Sequence, residues 1–414
     1  AQRGLIGERE MDFEDTSEEA AFRAEARAFL SANAALKDRH GKVPRYGETD
    51  GGDIDAAKTW QRKKAAARFV CITWPEKWGG RGGTSMQQII FNQEESNYDV
   101  PPNVFLIGLG MCVPTMIAYA KPDQLERFVP KAVRGEEIWC QLFSEPAGGS
   151  DVAGLRTRAE KQGDEWVING QKIWTSGAQY SDYGLLLTRT DPNVPKHAGL
   201  TAFFIDMKTP GIEIRPIHQM SGGSNFNEVF FTDLRVPDSQ RLGAVGQGWK
   251  VGITTLMNER LAVGETRRPD AADLLDLARG IGALGDSAVR ERIAEWHAQS
   301  AGLKNTRLRI MTALSRGETP GPENSIAKVV NASMQQGIAS FGMDLLGMAG
   351  GVMDAELAPM HALFQDALLS SPGMRIAGGT DEILRNIIAE RVLGLPGDVR
   401  LDKDVAFNKL AARR

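Results

Sequence analysis

The sequence predicts an α+β chain with a helical zone, an antiparallel β zone and a second helical zone, in that order. Three observations carry this reading. Apolar residues recur at helical spacing from Asp15 to about Trp139. From Cys140 to about Gly243 the chain breaks into short apolar runs separated by Pro, Gly and Asp, with no helix-length pattern between them, which excludes a βαβ sheet. From Gly248 to about Leu393 long, Ala- and Leu-rich amphipathic segments return. The expected domains are residues 11–139, 140–245 and 246–396, followed by a polar tail, 397–414, read as an extension.

In the first zone Thr16 and Glu19 have capping-box spacing, and EEAAFRAEARAFLSANAAL continues as a helix. Residues 38–53 hold Gly, Pro and Asp and predict a loop, after which DAAKTWQRKKAAARF resumes the helix. WPEKWGGRGGTS is a Gly-rich break, QQIIFNQEES is helical, and PDQLERFVPKAVRG is a short helix closed by Gly135. In the second zone EWVINGQKIWT reads as two short strands around Asn169-Gly170, a hairpin signal. GLLLTRT, TAFFIDM, GIEIRPI and NEVFFTDLRV follow as strands. In the third zone the helices are WKVGITTLMNERLAVG, AVRERIAEWHAQSAGLKNTRLRIMTAL, ENSIAKVVNASMQQGIASFGMDLLG and TDEILRNIIAERVLG.

Composition narrows the function. At 414 residues with 42% hydrophobic and 25% charged residues, the chain is a multi-domain globular protein. A net charge of −4 offers no basic excess for nucleic acid, and no apolar run is long enough to cross a bilayer. Cys71, Cys112 and Cys140 are odd in number and far apart, which fits a reducing cytoplasm and no disulfide framework. The histidines His40, His197, His218, His297 and His361 form no HxxxH or HxH group, so no metal site is expected. AQRGLIGERE has no basic-then-apolar signal pattern; Met11 reads as a natural start and residues 1–10 as an upstream extension.

Four segments point to chemistry, and each has a plainer alternative. LFSEPAGGSD, 142–151, lets the backbone approach a flat ligand and offers the hydroxyls of Ser144 and Ser150; taken alone, such a segment is more often an ordinary Gly-rich connection. Trp174, beside Thr175 and Ser176, forms one wall of an aromatic cofactor site or packs in the core. On the helix after Gly248, Trp249, Ile253, Leu256 and Val263 share an apolar face into which Arg260 falls, with Glu259 at its edge. A carboxylate among apolar neighbours has a raised pKa and suits a general base; the alternative is a structural ion pair at a helix seam. RIAGGTDEILR, 375–385, sets two glycines before Thr380 as N-cap, with Asp381 and Glu382 in the first turn. Backbone N–H groups there bind a phosphate or a polarised carbonyl, or merely open a capped helix. Gly246-Gln247-Gly248 has no preceding strand of the kind a dinucleotide fingerprint needs.

Together, in this order, the segments resemble the acyl-CoA dehydrogenase family of flavoproteins, from about Met11 to Pro396. LFSEPAGGSDVAGLRTRAEKQGDEWVINGQKIWTSGA and GGTDEILRNIIAERVLGLP resemble its two signature stretches. The resemblance implies an N-terminal α-helical domain, a middle antiparallel β-barrel and a C-terminal four-helix bundle. It implies FAD, an acyl-CoA substrate, loss of the pro-R α-proton with hydride transfer to flavin N5, and a trans-2-enoyl-CoA product. An electron-transferring flavoprotein would take the electrons, and the assembly would be a homodimer or homotetramer. By position, Gln141, Leu142, Ser144, Gly149 and Ser150 match flavin-contacting residues, and Trp174 and Ser176 match those against the isoalloxazine ring. Thr380 and Glu382 match contacts to the adenine half, and Ser150, Met257, Asn258 and Arg260 match positions facing the acyl-CoA. The backbone N–H of Gly378 matches a donor to the thioester carbonyl.

Two departures shape the expectation. Many members carry the catalytic Glu where this chain has Gly378. Others, similar to isovaleryl- and long-chain-type enzymes, place it where this chain has Glu259 followed by Arg260, so Glu259 is the expected base and Arg260 its partner. Across 265–290 no clean Arg-x-x-Phe pattern occurs, and Arg279 is the nearest match to the residue that touches a neighbouring subunit's FAD. The rivals are a non-catalytic subunit of a heteromer and a flavin oxidase or monooxygenase on the same fold.

Overall fold

A computed structural model describes residues 15–38, 41, 51–262, 269–315, 321–322, 324–399 and 402–410, with the backbone alone for 259–262 and a few other helix-end positions. The helices are α1 (Ser17–Asn33), α2 (Gly51–Ala66), α3 (Ser85–Glu95), α4 (Val113–Tyr119), α5 (Pro122–Val133), α6 (Gly248–Ala262), α7 (Ala271–Gly280), α8 (Ser287–Ser315), α9 (Asn324–Leu346), α10 (Leu363–Met374) and α11 (Asp381–Ile387). The strands are β1 (Trp139–Leu142), β2 (Arg158–Gln162), β3 (Glu165–Ser176), β4 (Tyr183–Arg189), β5 (Leu200–Asp206), β6 (Ile212–Ile217), β7 (Phe226–Pro237) and β8 (Arg241–Leu242). They fall into two compact units.

One unit comprises residues 1–43, 82–99 and 266–396. The Thr16–Glu19 capping box is present in both halves, at 3.2 and 2.8 Å. Phe22, Ala26 and Leu30, spaced by fours, form the buried stripe of α1. Arg23 and Arg27 of the same helix reach Glu94 on α3 at 2.8 and 2.7 Å. Burial acts to raise the Glu94 pKa, but the two guanidiniums outweigh it and hold the carboxyl below its ordinary range. Helices α7 to α10 share a core that includes Leu274, Trp296, Ile338 and Phe364. Two of these helices, α7 and α10, are absent from the sequence reading. The second follows Met360, His361 and Ala362, which all have left-handed φ (51°, 54° and 60°), so no ordinary N-terminal signal precedes it.

The other unit comprises residues 44–81, 100–265 and 397–414. Its sheet has the strand order β6-β7-β3-β2-β4-β5-β8. Most neighbouring pairs are antiparallel, as expected, but β1 and β2 each lie parallel to β4. Alternation sends successive residues to two cores. Leu185 and Leu187 of β4 and Ala202 and Phe204 of β5 meet Val113, Met116, Val129 and Val251 of the helices. Leu186, Phe203 and Ile205 meet Trp166, Ile168, Val229 and Phe231 of the folded-over part of the sheet. Burial on both faces explains why LLL and AFF run without polar interruption.

Three expectations are corrected here. The Asn169-Gly170 hairpin does not exist, because 165–176 is one strand. The turn is Gly163-Asp164, where Gln162 pairs with Glu165 and Gly163 has φ +62°. Gly170 instead marks a register shift against β7, with φ +151° and no room for a Cβ, which would lie 2.7 Å from the Thr157 Cα. The apolar stripe of α6 is only in part its packed face: Trp249 and Leu256 pack against the core, but Ile253 is 40% exposed, while Gly248, Val251, Gly252 and Thr255 are buried. Close approach decides this, since a Cβ on Gly248 would sit 2.5 Å from the Thr201 nitrogen, and Thr255 meets Thr115 hydroxyl to hydroxyl at 3.0 Å. The tail after Pro396 is not a free extension: the Phe407 and Asn408 amides donate to the Val194 and Pro192 carbonyls, both at 2.9 Å.

Candidate active site

Strand β3 carries the first part of the site. Between Lys172 and Thr175 the ladder to β7 slips, and Trp174 takes φ +58°. Left-handed backbone is costly for an aromatic residue, and a bulge is a device for re-aiming a side chain. The Trp174 ring is 55% exposed, steadied edge-on by Phe226 with ring centroids 6.0 Å apart. It is therefore not a core tryptophan. Next to it the Thr175 hydroxyl is buried with no partner among the described residues, and Ser176 is half-buried. Trp174→Gly is expected to be more stable than Trp174→Ala by about 0.5–1 kcal/mol, because glycine adopts this φ without strain. Urea unfolding of the two variants measures it, and equal stability would show that the backbone relaxes.

The loop 143–157 lies against this strand. The Ile173 amide donates to the Ser144 carbonyl at 3.0 Å, bringing Ser144 beside the bulge. Glu145 and Gly148 exchange two backbone hydrogen bonds and close a tight turn, after which Gly149 and Ser150 are exposed. Beneath the turn lies a pair that the sequence reading passed over. Lys172, fully buried, donates from Nζ to Glu145 Oε1 at 2.8 Å and to the Phe143 carbonyl at 3.0 Å. Glu145 also accepts from the amides of Arg156 (2.6 Å) and Thr157 (2.9 Å). Burial pushes the Lys172 pKa down, against the charge of Glu145. For Glu145 burial acts upward, but the charge of Lys172 and the converging N–H groups prevail and hold the carboxylate below its usual range. The available signal was a lysine at an inward strand position, with an acidic residue in a neighbouring Gly-rich segment.

The remaining residues of this unit are placed as follows. Gln141 is half-buried, and Leu142 is wholly buried in the second core, which leaves only its backbone to meet a ligand. Met257 is 54% exposed on α6 and Asn258 is half-buried. The side chains of Glu259 and Arg260 lie outside the described residues; the backbone places position 259 one turn after Thr255, on the helix side that holds Gly252 and Thr255.

The other unit carries the GGT turn. Gly378 and Gly379 have φ +66° and +94°, and the Thr380 hydroxyl accepts from the Ile383 amide at 3.3 Å, capping α11 as expected. Two cations hold the turn. Lys328 of α9 donates to the Gly379 carbonyl at 2.6 Å, and Arg375 grips buried Asp381 at 2.6–2.7 Å. Glu382 is exposed; its own amide and the Thr380 hydroxyl hold its carboxyl below the ordinary value. Arg279 is exposed and pairs with Asp276 one turn back at 2.8 Å. Among the described residues no cluster of three potential metal ligands occurs, and no helix is long and apolar enough to cross a membrane.

Known proteins align with this architecture. Residues 16–136, 140–234 and 246–393 match the family descriptions "Acyl-CoA dehydrogenase, N-terminal domain", "middle domain" and "C-terminal domain". The chain is 37% identical over 389 residues to acyl-CoA dehydrogenase IpdE1 of Mycobacterium tuberculosis, covering 92% of this chain and 98% of that one. Among solved structures it is similar to the Tcur3481-Tcur3483 steroid ACAD, with TM-score 0.79, 26% identity and coverage of 94% and 100%. The ChsE4-ChsE5 complex from Mycobacterium tuberculosis aligns with TM-score 0.75, 26% identity and coverage of 94% and 100%.

Proposed function

The chain belongs to the acyl-CoA dehydrogenase family of FAD-dependent oxidoreductases, and from that premise we propose that it desaturates a bulky, ring-bearing acyl-CoA to its trans-2-enoyl-CoA. The observation that supports the site most is the exposed, left-handed Trp174 beside the clamped 143–157 loop. These residues fit FAD. A planar ligand gains a stacking wall from Trp174, and the open Gly149 and Ser150 segment lets the backbone come close. Gln141, the backbone of Leu142, Ser144, Gly149, Ser150 and Ser176 would hold the cofactor there, with Thr380 and Glu382 toward its adenine half. Arg279 is proposed to reach the FAD of a neighbouring subunit, with its present partner Asp276 released. Bound FAD supplies a hydride acceptor at N5.

The chain's own residues then do the proton chemistry. Glu259 takes the pro-R α-proton, and Arg260 keeps its carboxylate ionised beforehand. The Gly378 N–H donates to the thioester oxygen as negative charge develops there, and Lys328 on the adjacent carbonyl holds that turn in place. Ser150, Met257, Asn258 and Arg260 face the acyl-CoA. The ring-bearing substrate rests on the name of the similar steroid ACAD and on α6, whose large residues Ile253 and Met257 point away from its packed side.

An electron-transferring flavoprotein is the proposed acceptor, a homodimer or homotetramer the proposed assembly, and the cytoplasm the proposed location. A second reading, a subunit of a heteromer, is favoured by similarity to the ChsE4-ChsE5 complex. An anaerobic panel of straight, branched and ring-bearing acyl-CoAs tests both. Bleaching of the visible flavin band, fastest with a ring-bearing thioester, is the expected result. FAD that no thioester reduces would defeat the dehydrogenase reading. Protein that stays colourless alone and gains FAD only with a partner chain would establish the heteromer. Oxygen consumption by the reduced enzyme would indicate an oxidase.

A further inference from the structure

The tail segment 402–410 meets two cations, one at the end of β4 and one in the β4–β5 loop, and each of these also holds the loop that follows the Gly-Gly-Ser turn. Lys196 is the first. Its Nζ lies 2.8 Å from Asp402 Oδ2 and 3.0–3.1 Å from the two carboxylate oxygens of Asp151, the residue after Ser150. Arg189 is the second. It is 4% exposed and donates from Nη2 to the carbonyls of Ala153 (2.5 Å) and Leu155 (3.2 Å), and from Nη1 to the Lys196 carbonyl (2.6 Å). Among the described residues no carboxylate lies within ion-pair distance of its guanidinium. Instead the ring of Phe407 covers it, with the centroid 3.8 Å from Cζ. Burial draws the Arg189 pKa down to about 10, so the group remains charged at neutral pH.

A buried guanidinium under a π face is a strong contact, and here its donors are spent on three loop carbonyls, those of Ala153, Leu155 and Lys196. The tail is anchored independently by the backbone bonds at Phe407 and Asn408 and by the Asn408–Asn193 side-chain bond at 2.8 Å. Every residue named belongs to the one compact unit.

We propose that residues 402–410 are a positioning element: through Lys196 and Arg189 they fix the 150–155 segment in the shape that receives FAD and the acyl-CoA. Neither cation touches a reacting atom. The inference rests on the flavin reading above, and its test separates the two. Hydrogen exchange is followed at the amides of 151–157 in the apo and FAD-loaded full-length protein, with the β4–β5 amides as the folding control. Phe407→Ala is expected to speed exchange at 151–157 and FAD release by up to about thirtyfold each, the size of one desolvated cation–π contact. The β4–β5 amides should not change, and KM for the acyl-CoA should rise more than kcat falls. Phe407→Trp should restore all readouts, while Phe407→Leu, which fills the space without a π face, should not. Asp402→Asn should give a smaller change in the same direction. Unaltered exchange at 151–157 in Phe407→Ala, or in a chain ending at Pro396, would overturn the proposal. A parent protein that takes up no FAD, with exchange that still follows residue 407, would overturn only the flavin reading.

Discussion

Glu259→Gln is expected to bind FAD as the parent does and to reduce it about 10²–10⁴-fold more slowly with acyl-CoA, the range a positioned general base contributes. The amide keeps the size of the carboxylate but cannot accept the α-proton. The helix leading to it is held by Gly248 on β5, Gly252 on Leu187 of β4 and Thr255 on α4, so the exchange should leave the fold intact. Anaerobic stopped-flow reduction measures the rate, and the flavin spectrum before mixing reports binding. Glu259→Asp should fall between the two. Reduction at the parent rate by Glu259→Gln would remove this residue from the mechanism and send the search to other carboxylates.

The second large effect lies under the 143–157 loop. Lys172→Met should destabilise the protein by about 3–5 kcal/mol, because it leaves the Glu145 carboxylate buried with its cation gone. FAD should be lost with it, since the same pair ties the 143–157 loop to β3. Adding Glu145→Gln should recover part of the stability, because an amide tolerates burial better than an unpaired charge and its one oxygen still accepts one of the two N–H bonds from Arg156 and Thr157. pH separates the variants further. The Glu145 pKa is depressed from 4.5, so its contribution is complete above that value and disappears as pH falls through the lowered one. Urea unfolding from neutral to acid pH should therefore fall off more steeply for the parent than for the double variant. Parallel curves would mean that the pair carries no net charge stabilisation.

The order of zones, most strands and the longest helices were legible because they depend on periodicity that burial enforces. What escaped has local causes. Asn169-Gly170 looks like a turn, yet Gly170 is needed for the close approach of Thr157, a contact between residues 13 apart that no dipeptide reveals. The stripe on α6 was only half right: Trp249 and Leu256 pack against the core, but much of the close packing uses glycines and a threonine, which hydropathy patterns do not count. Trp174 and the Ser144 loop were legible as motifs. Lys172 and Glu145 stood inside the same motifs unnoticed, since a buried ion pair appears only once the loop folds back on the strand. The tail reads as polar, and its one aromatic contact of consequence pairs with an arginine more than two hundred residues earlier.

On α6, the residues that fasten it to the sheet and those that face outward are different sets. Gly248, Val251, Gly252 and Thr255 fasten it; Ile253 and Met257 do not. Redesign can exploit this separation. With Met257 facing the acyl-CoA as proposed, exchanging 253 and 257 for smaller, larger or more polar groups should change what the enzyme accepts at little cost to folding, so a library confined to those two positions should yield mostly foldable proteins.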